Sequence, residues 1–195
     1  QIGESIRQHM GLSQKASRDR VIELLTKVGI PRAKDRLKDY PHQFSGGMRQ
    51  RVVIALALCA NPRLIVADEP TTALDVSIQA QIIALLKMLC REHQTAVMLV
   101  THHMGVIAET ADRVAVMYAG RIVEQAAVRT LFKAPAHPYT QALLRAMPGS
   151  SHSARRLEPI EGQVPSLQDM PPGCAFAPRC PWRHDACDEA PPAMY

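Results

Sequence analysis

Two adjacent carboxylates, Asp68 and Glu69, follow a short apolar run and are the clearest candidates for chemistry in this 195-residue sequence. The run at residues 64–67 is typical of a parallel β-strand that is covered on both faces. At the carboxyl end of such a strand, Asp68 is suited to hold Mg²⁺ through oxygen, and Glu69 is suited to polarise an attacking water as a general base. The pair therefore predicts magnesium-assisted phosphoryl transfer.

A second candidate is Ser45-Gly46-Gly47, which stands before an apolar helical run at residues 52–60. Ser45 is a natural N-cap, and the two glycines leave backbone N–H groups uncovered at the positive end of the helix dipole. One helix end contributes only about 0.3–1 kcal/mol to anion binding. We therefore expect this site to act together with phosphate ligands on another surface.

Two further polar positions stand at the ends of predicted elements. Asp75 is a candidate N-cap for a helix whose apolar residues recur at helical spacing, namely Ile78, Ile82, Leu85, Leu86 and Leu89. A third apolar run, residues 96–100, predicts a second strand that ends in Thr101 and His102. A histidine at that place in an α/β sheet is positioned to hold a γ-phosphate.

The rest of the chain supplies supporting elements. Residues 1–40 have helical periodicity that closes at Gly29, with Pro31 beyond it. Residues 113–118 and 121–125 predict two strands around a turn at Ala119-Gly120, followed by helices at 128–133 and 140–147. From residue 134 onward prolines, Pro148 among them, interrupt long elements. Cys59 and Cys90 lie on apolar helical faces and are predicted to be core residues.

The order of these motifs resembles that of the ATP-binding cassette (ABC) ATPases. The resemblance implies that Ser45, Gly46 and Gly47 are the signature motif, which contacts the γ-phosphate of ATP bound on an opposite subunit. It also implies that Asp68 is the Walker B aspartate, which holds Mg²⁺, and that Glu69 is the catalytic glutamate. By the same resemblance, Leu74-Asp75 is the D-loop at the dimer interface and His102 is the switch histidine.

The sequence also departs from the family pattern. Phe44 and Met48 replace the commoner Leu and Gln around the signature glycines, and Ala126 replaces a glycine, so we expect a slightly different turn there. No G-x-x-x-x-G-K-[ST] P-loop occurs in the sequence, and no upstream glutamine loop is present. The resemblance therefore covers the second half of a cassette and implies a fragment. A naturally P-loop-free protein is the alternative.

The C-terminal part narrows the resemblance to the oligopeptide, dipeptide and nickel branch of ABC importers, through His137-Pro138-Tyr139-Thr140, Ile160-Glu161-Gly162 and Pro172-Gly173-Cys174. The branch implies an iron-sulfur cluster held by four cysteines, of which this chain has three here, Cys174, Cys180 and Cys187. Three interpretations remain open: a fourth cysteine beyond residue 195, a zinc site completed by His184, or a vestigial site. The spacing is wider than in common zinc knuckles.

The resulting prediction is an α/β fold with three parts. Residues 1–60 form a helical signature subdomain, residues 61–133 form the second half of a P-loop NTPase (RecA-like) core, and residues 134–195 form a proline- and cysteine-rich extension. The strands at 64–67 and 96–100 are expected to be interior members of a parallel sheet. Expressed alone, this segment is expected to be poorly soluble and inactive.

The function implied by the resemblance is an ATP-hydrolysing subunit that powers import of peptides or related solutes. Its implied partners are a second ATPase subunit, identical or not, a transmembrane permease and, indirectly, an external solute-binding protein. Its implied location is the cytoplasmic face of the plasma membrane. The alternatives are a soluble non-transport ABC ATPase and a non-catalytic interaction module. Although the net charge is +5, only 4% of the residues are aromatic, and we predict no nucleic-acid-binding module. No signal peptide or membrane span is recognisable in the sequence.

Overall fold

The computed structural model describes residues 1–72, 74–147, 159–166 and 168–192. The chain divides into two compact units, Gln1–His102 and His103–Tyr195. The three-part division at residues 60 and 133 stays a prediction. Pro148, expected to interrupt the chain, lies outside the described residues.

The first unit begins with two helices, α1 (Ile2–Met10) and α2 (Gln14–Lys27). The buried hydroxyl of Ser17 joins them by donating to the carbonyl of Gly3 at 2.8 Å. The predicted end at Gly29 is confirmed, because Gly29 has φ +77° and the N–H of Ile30 donates back to the carbonyl of Leu25. Short 3₁₀ turns follow at Asp35–Lys38 and Pro41–Gln43.

Two longer helices complete the hydrophobic core of this unit, α3 (Gly46–Leu58) and α4 (Val76–Glu92). The apolar stripe predicted for α4 is confirmed, since Ile82, Leu85, Leu86 and Leu89 are buried. Cys59 and Cys90 are also buried, 2% and 4% exposed, and burial raises the pKa of both thiols. Both cysteines are core residues, as predicted.

The predicted strands are β1 (Leu64–Asp68) and β2 (Ala96–Val100), which pair in parallel with Asp68 opposite Val100. The expectation of interior strands concerned a complete cassette, and within the described residues neither strand is covered on both faces. Of these two strands only Ile65 is buried, whereas Val66 and Met98 are 61% and 55% exposed. The sheet has two strands, so neither strand has a neighbour on its outer side within the described part of the chain.

The second unit contains α5 (Met104–Thr110), β3 (Arg113–Tyr118), β4 (Arg121–Ala127), α6 (Val128–Lys133) and α7 (Pro138–Arg145). The predicted hairpin is confirmed: β3 and β4 are antiparallel, and Ala119 and Gly120 both have positive φ. The different turn expected at Ala126 is wrong, because β4 continues through this residue, which pairs with Val114.

Arg179 fastens the C-terminal segment to this unit. It lies in a 3₁₀ turn, Ala177–Arg179, ahead of the short α8 (Ala186–Glu189). Its guanidinium donates to the carbonyls of Ile160 and Glu161 at 2.8 and 2.7 Å and to the hydroxyl of Tyr118 at 3.2 Å. It also lies over the rings of Tyr118 and Phe176, and Phe176 is 1% exposed. The extension therefore packs as part of a folded unit.

Candidate functional site

Glu69 lies directly after β1, where the backbone leaves the strand. Its φ of +45° is in the left-handed region, which costs energy for a residue other than glycine. Its N–H donates to the carbonyl of Val100 at the end of β2, at 2.9 Å. Parallel pairing of the two strands thus fixes the backbone of the predicted general base.

His102 contacts Glu69, which lies 33 residues away in the chain. Its backbone N–H donates to Oε1 of Glu69 at 3.1 Å, and its Nδ1 lies 2.6 Å from the same oxygen. Since an ionised carboxylate only accepts, the proton of this contact belongs to Nδ1. The His102 side chain is 86% exposed, so the rest of the ring is accessible to a ligand.

The electrostatics of the pair keep Glu69 ionised. The hydrogen bond from His102 lowers the pKa of Glu69, and the effect outweighs a small opposing contribution from burial. The hydroxyl of Thr72 and the backbone N–H of His102 lower this pKa further. The carboxylate is therefore in the form that can accept a proton from water.

Asp68 is the last residue of β1, and its side chain is exposed at the carboxyl end of the parallel pair. Within the described ranges no three His, Cys, Asp or Glu side chains gather in a group that could hold a metal ion. Mg²⁺ nevertheless needs few protein ligands, because it is usually held by one or two carboxylates together with water and phosphate oxygens. A single exposed carboxylate fits that requirement.

Ser45 caps α3 as predicted. Its hydroxyl oxygen accepts from the N–H of Met48 at 3.3 Å, and Gly46 and Gly47 form the first turn of the helix. The N–H groups of a first helical turn have no intrahelical partner and point outward. The geometry of an anion-binding helix end is therefore present.

The two glycines also have a packing role that the sequence did not indicate. A Cβ on Gly47 would lie 2.9 Å from Cγ2 of Ile78, and one on Gly46 would lie 3.4 Å from Cδ2 of Leu74. The first contact is closer than a Cβ atom tolerates, so another residue at position 47 would require the Ile78 side chain or one of the two helices to shift. Gly47 is thus needed for close helix packing as well as for open N–H groups.

Asp75 stands at the N-cap of α4 as predicted, with φ −61° and ψ 148°. Its side chain makes no capping hydrogen bond, while its carbonyl accepts from the N–H of Gln79 at 2.8 Å. The carboxylate is exposed. It therefore remains available for a contact outside the helix, which fits a residue at a subunit interface.

His103 differs from its neighbour. It caps α5, and its Nδ1 accepts from the N–H of Val106 at 3.2 Å. This contact gives His103 a structural role in the helix that follows. The two neighbouring histidines therefore make different contacts, His102 with Glu69 and His103 with the backbone of α5.

Of the three C-terminal cysteines, Cys174 and Cys187 are joined through their backbones. The N–H of Cys174 donates to the carbonyl of Cys187 at 2.7 Å, and a Cβ on Gly173 would overlap that carbonyl oxygen. All three thiols are free and half-buried. Because they are not part of any three-ligand group among the described residues, the side chains as placed do not fit an iron-sulfur cluster, nor zinc completed by His184.

Sequence reasoning missed three contacts that organise the site and the second unit. The hydroxyl of Thr72 donates to Oε2 of Glu69 at 3.1 Å, and Nε2 of Gln79 donates to Oγ1 of Thr71 at 2.8 Å. In the second unit, Glu124 accepts from the N–H groups at the start of α7. The hydroxyl residues after Pro70 were the available indication for the first contact.

The fold and the site define an α/β protein with an acidic pair and a histidine at the ends of two parallel strands. Residues 2–72 match the ABC transporter family, and residues 123–187 match the oligopeptide/dipeptide transporter C-terminal region. The chain belongs to the ABC transporter family and carries the C-terminal region of its oligopeptide/dipeptide branch.

The similar curated proteins are transporter ATP-binding proteins. The chain is 50% identical over its whole length to the oligopeptide transport ATP-binding protein AppD of Bacillus subtilis, and 50% identical to the dipeptide transport ATP-binding protein DppD of Escherichia coli. It spans 59% of the length of each. A putative peptide import ATP-binding protein of Brucella ovis is 52% identical, with the same coverage.

Two solved structures are similar to this chain in fold. The dimeric ABC transporter cassette MJ0796 matches at a TM-score of 0.52 and 36% identity, over 60% of this chain and 50% of that one. The same cassette bound to ADP and Pi in a post-hydrolysis state matches at 0.52 and 35%. The predicted cassette fold is therefore confirmed. Within the described part of this chain, no helix has the length and apolar character needed to cross a bilayer.

Proposed function

We propose that this chain is part of an ATP-binding subunit that hydrolyses ATP to power import of peptides or related solutes through an ABC permease. The observation that carries the proposal is the contact between Glu69 and His102 at the ends of two paired parallel strands. Similarity to peptide and dipeptide transport ATP-binding proteins supports the solute class.

The residues divide the chemistry among them. Glu69 accepts a proton from the water that attacks the γ-phosphorus, and the phosphorus–oxygen bond to ADP breaks as the bond to water forms. His102 holds the carboxylate through Oε1. In the proposed mechanism its ring contacts the γ-phosphate, and the exposure of the ring supports this role. Asp68 would hold Mg²⁺, which neutralises charge on the phosphate oxygens when bound.

The α3 N-terminus acts on ATP held by a second subunit. A single helix end contributes about 0.3–1 kcal/mol, so it functions only beside other phosphate ligands. The exposed Asp75 side chain serves the same interface. The dimeric state of the similar cassette MJ0796 supports this assembly.

The remaining partners are a transmembrane permease and, through it, an external solute-binding protein. The subunit acts as a peripheral protein at the cytoplasmic face of the plasma membrane. The names of the similar transporters support these partners. Solute choice belongs to the permease and the external protein, since no described residue of this chain faces the solute in the proposed assembly.

The three C-terminal cysteines have no role in this proposed mechanism. Only the resemblance supports iron at Cys174, Cys180 and Cys187, and the described side chains do not form a ligand group. Measurement of iron, sulfide and zinc in the purified protein, beside a Cys180→Ser variant, tests it. Stoichiometric iron lost in the variant would support a cluster, and absence of metal from both would refute it.

The test of the proposed function uses the full-length subunit, meaning this chain joined to a P-loop half from its own gene or from a relative. Reconstituted with its permease, it should hydrolyse ATP and drive peptide uptake. Glu69→Gln should abolish both while ATP still binds. Uptake that persists without ATP hydrolysis, or hydrolysis that Glu69→Gln leaves unchanged, would refute the proposal.

A further inference from the structure

We propose that Thr72 is a positioning residue that sets the orientation of the Glu69 carboxylate for catalysis. The inference rests on the proposed function, because it assumes that Glu69 acts on the attacking water. Thr72 itself touches neither ATP nor water in this role. It acts through the carboxylate alone.

The two oxygens of Glu69 are held from different directions. Oε1 receives both contacts from His102, at 3.1 Å from the backbone N–H and 2.6 Å from Nδ1. Oε2 receives the hydroxyl of Thr72 at 3.1 Å. A carboxylate has about four lone-pair sites, so this arrangement leaves at least one free for water.

The Thr72 contact supplies what His102 does not. Two contacts to one oxygen fix that oxygen but leave the carboxylate plane free to rotate, since the terminal torsion of glutamate is broad. A third contact to Oε2 fixes the plane. The free lone pair of Glu69 then points in a single direction. A base that is oriented in this way accepts a proton efficiently.

The hydroxyl is carried by a turn that is itself anchored. The N–H of Thr72 donates to the carbonyl of Glu69 at 3.1 Å, and Pro70 restricts the backbone between them. The neighbouring Thr71 is 7% exposed, and its hydroxyl accepts from Nε2 of Gln79 on α4 at 2.8 Å. Glu69 at the start of this turn has φ +45°, so the turn holds a backbone that would otherwise relax.

Thr72 is exposed, so its replacement should not disturb the core. Thr72→Val keeps the shape and removes the hydroxyl, Thr72→Ser keeps the hydroxyl, and both are compared in the full-length subunit. Thr26→Val is the matched control, because Thr26 is also exposed and its hydroxyl donates one hydrogen bond, to the carbonyl of Ile22 at 2.7 Å.

We expect Thr72→Val to lower kcat about 10-fold, the usual order for losing one hydrogen bond to a charged group. KM for ATP, the melting temperature and the ATP-dependent dimer measured by light scattering should be unchanged. Thr72→Ser should restore kcat to within about 2-fold, and Thr26→Val should match the wild type. In a Glu69→Ala background, Thr72→Val should have no further effect, because the residue acts through Glu69.

An unchanged kcat in Thr72→Val would overturn the positioning role, and so would a serine variant as slow as the valine variant. A lowered melting temperature or a lost dimer would replace it with a structural role. These outcomes differ from failure of the proposed function, which appears in the parent protein: a full-length subunit without ATP hydrolysis, or one insensitive to Glu69→Gln, refutes the function itself.

Discussion

A Cβ atom on Gly47 would lie 2.9 Å from Cγ2 of Ile78, so this glycine at the start of α3 packs directly against α4. The glycine therefore serves two requirements, an open helix end for an anion and close approach of α3 to α4. A substitution at Gly47 alone tests both at once. Pairing it with Ile78→Ala separates them.

Gly47→Asp in the Ile78→Ala background should abolish ATP-driven dimerisation, because a carboxylate then occupies the position that a phosphate approaches. Each monomer should still bind nucleotide. Gly47→Ala in the same background is the control and should retain dimers, because Ile78→Ala removes the opposing Cγ2 atom. Light scattering with and without ATP checks both variants, and normal dimers of the aspartate variant would contradict the anion-site account.

Glu69→Gln in the full-length subunit should keep ATP binding and slow hydrolysis by about 10²–10⁴, the usual contribution of a general base. The amide retains an oxygen acceptor for His102 yet cannot take a proton from water. Phosphate release at saturating ATP measures the rate, and nucleotide binding by fluorescence provides the control. Turnover at the parent rate would remove Glu69 from this role.

His102→Ala should sharply reduce hydrolysis, because it removes the Nδ1 contact to Glu69 and the exposed ring that we propose contacts the γ-phosphate. His103→Ala should leave hydrolysis nearly unchanged. It should instead lower stability by about 0.5–2 kcal/mol, the cost of a lost N-cap, since His103 caps α5. Parallel measurements of ATPase rate and unfolding separate the two effects, and equal losses of rate would show that the switch is misassigned.

Glu124 should contribute stability that depends on pH. Its two carboxylate oxygens accept from the N–H groups of Ala136 and His137, each at 2.9 Å. Burial acts to raise the pKa of Glu124, but hydrogen bonds to the carboxylate outweigh it and lower the pKa below the ordinary 4.5. The unfolded state therefore binds a proton more readily, so the contribution is present above about pH 4.5 and is lost as pH falls through the folded pKa.

The corresponding experiment compares the parent protein with Glu124→Gln. At pH 7 the variant should unfold with a free energy lower by about 1–3 kcal/mol. At pH 4 the difference should shrink. Urea unfolding at both values measures it, and Glu189→Gln, an exposed glutamate of α8, should change stability little at either pH. A difference that grows with acid would contradict the assigned sign.

The 195-residue chain expressed alone should be poorly soluble and should hydrolyse no ATP. Apolar side chains on β1 and β2 are open to water, including Leu64 at 55%, Val66 at 61% and Met98 at 55% exposure. The outer sides of both strands also lack a strand neighbour in the described structure, which favours association between copies. A soluble monomer that melts cooperatively would argue for a self-contained interaction module.

Local chemistry in the sequence was sufficient for the helices and strands that carry the candidate site, α3, β1, α4 and β2. The hydroxyl of Ser45, the positive φ required at Gly29 and the apolar spacing from Ile82 to Leu89 each act over a few residues, so they can be recognised without knowledge of the fold. The same is true of the strand ends that carry Glu69 and His102. The contact between Glu69 and His102 was shown by the structure, in which the carboxyl ends of the two parallel strands share one edge.

Other features were decided only by the tertiary structure. They join residues that are far apart in the sequence, or they depend on which faces of a strand or helix are covered by the rest of the fold. The approach of Gly47 to Ile78 and the hydrogen bond from Arg179 to Tyr118, 61 residues away, arise from helix and turn placement that no local pattern encodes. The exposure of Val66 was also decided by the tertiary structure. An apolar run specifies a strand, but its burial depends on neighbours supplied by the rest of the fold.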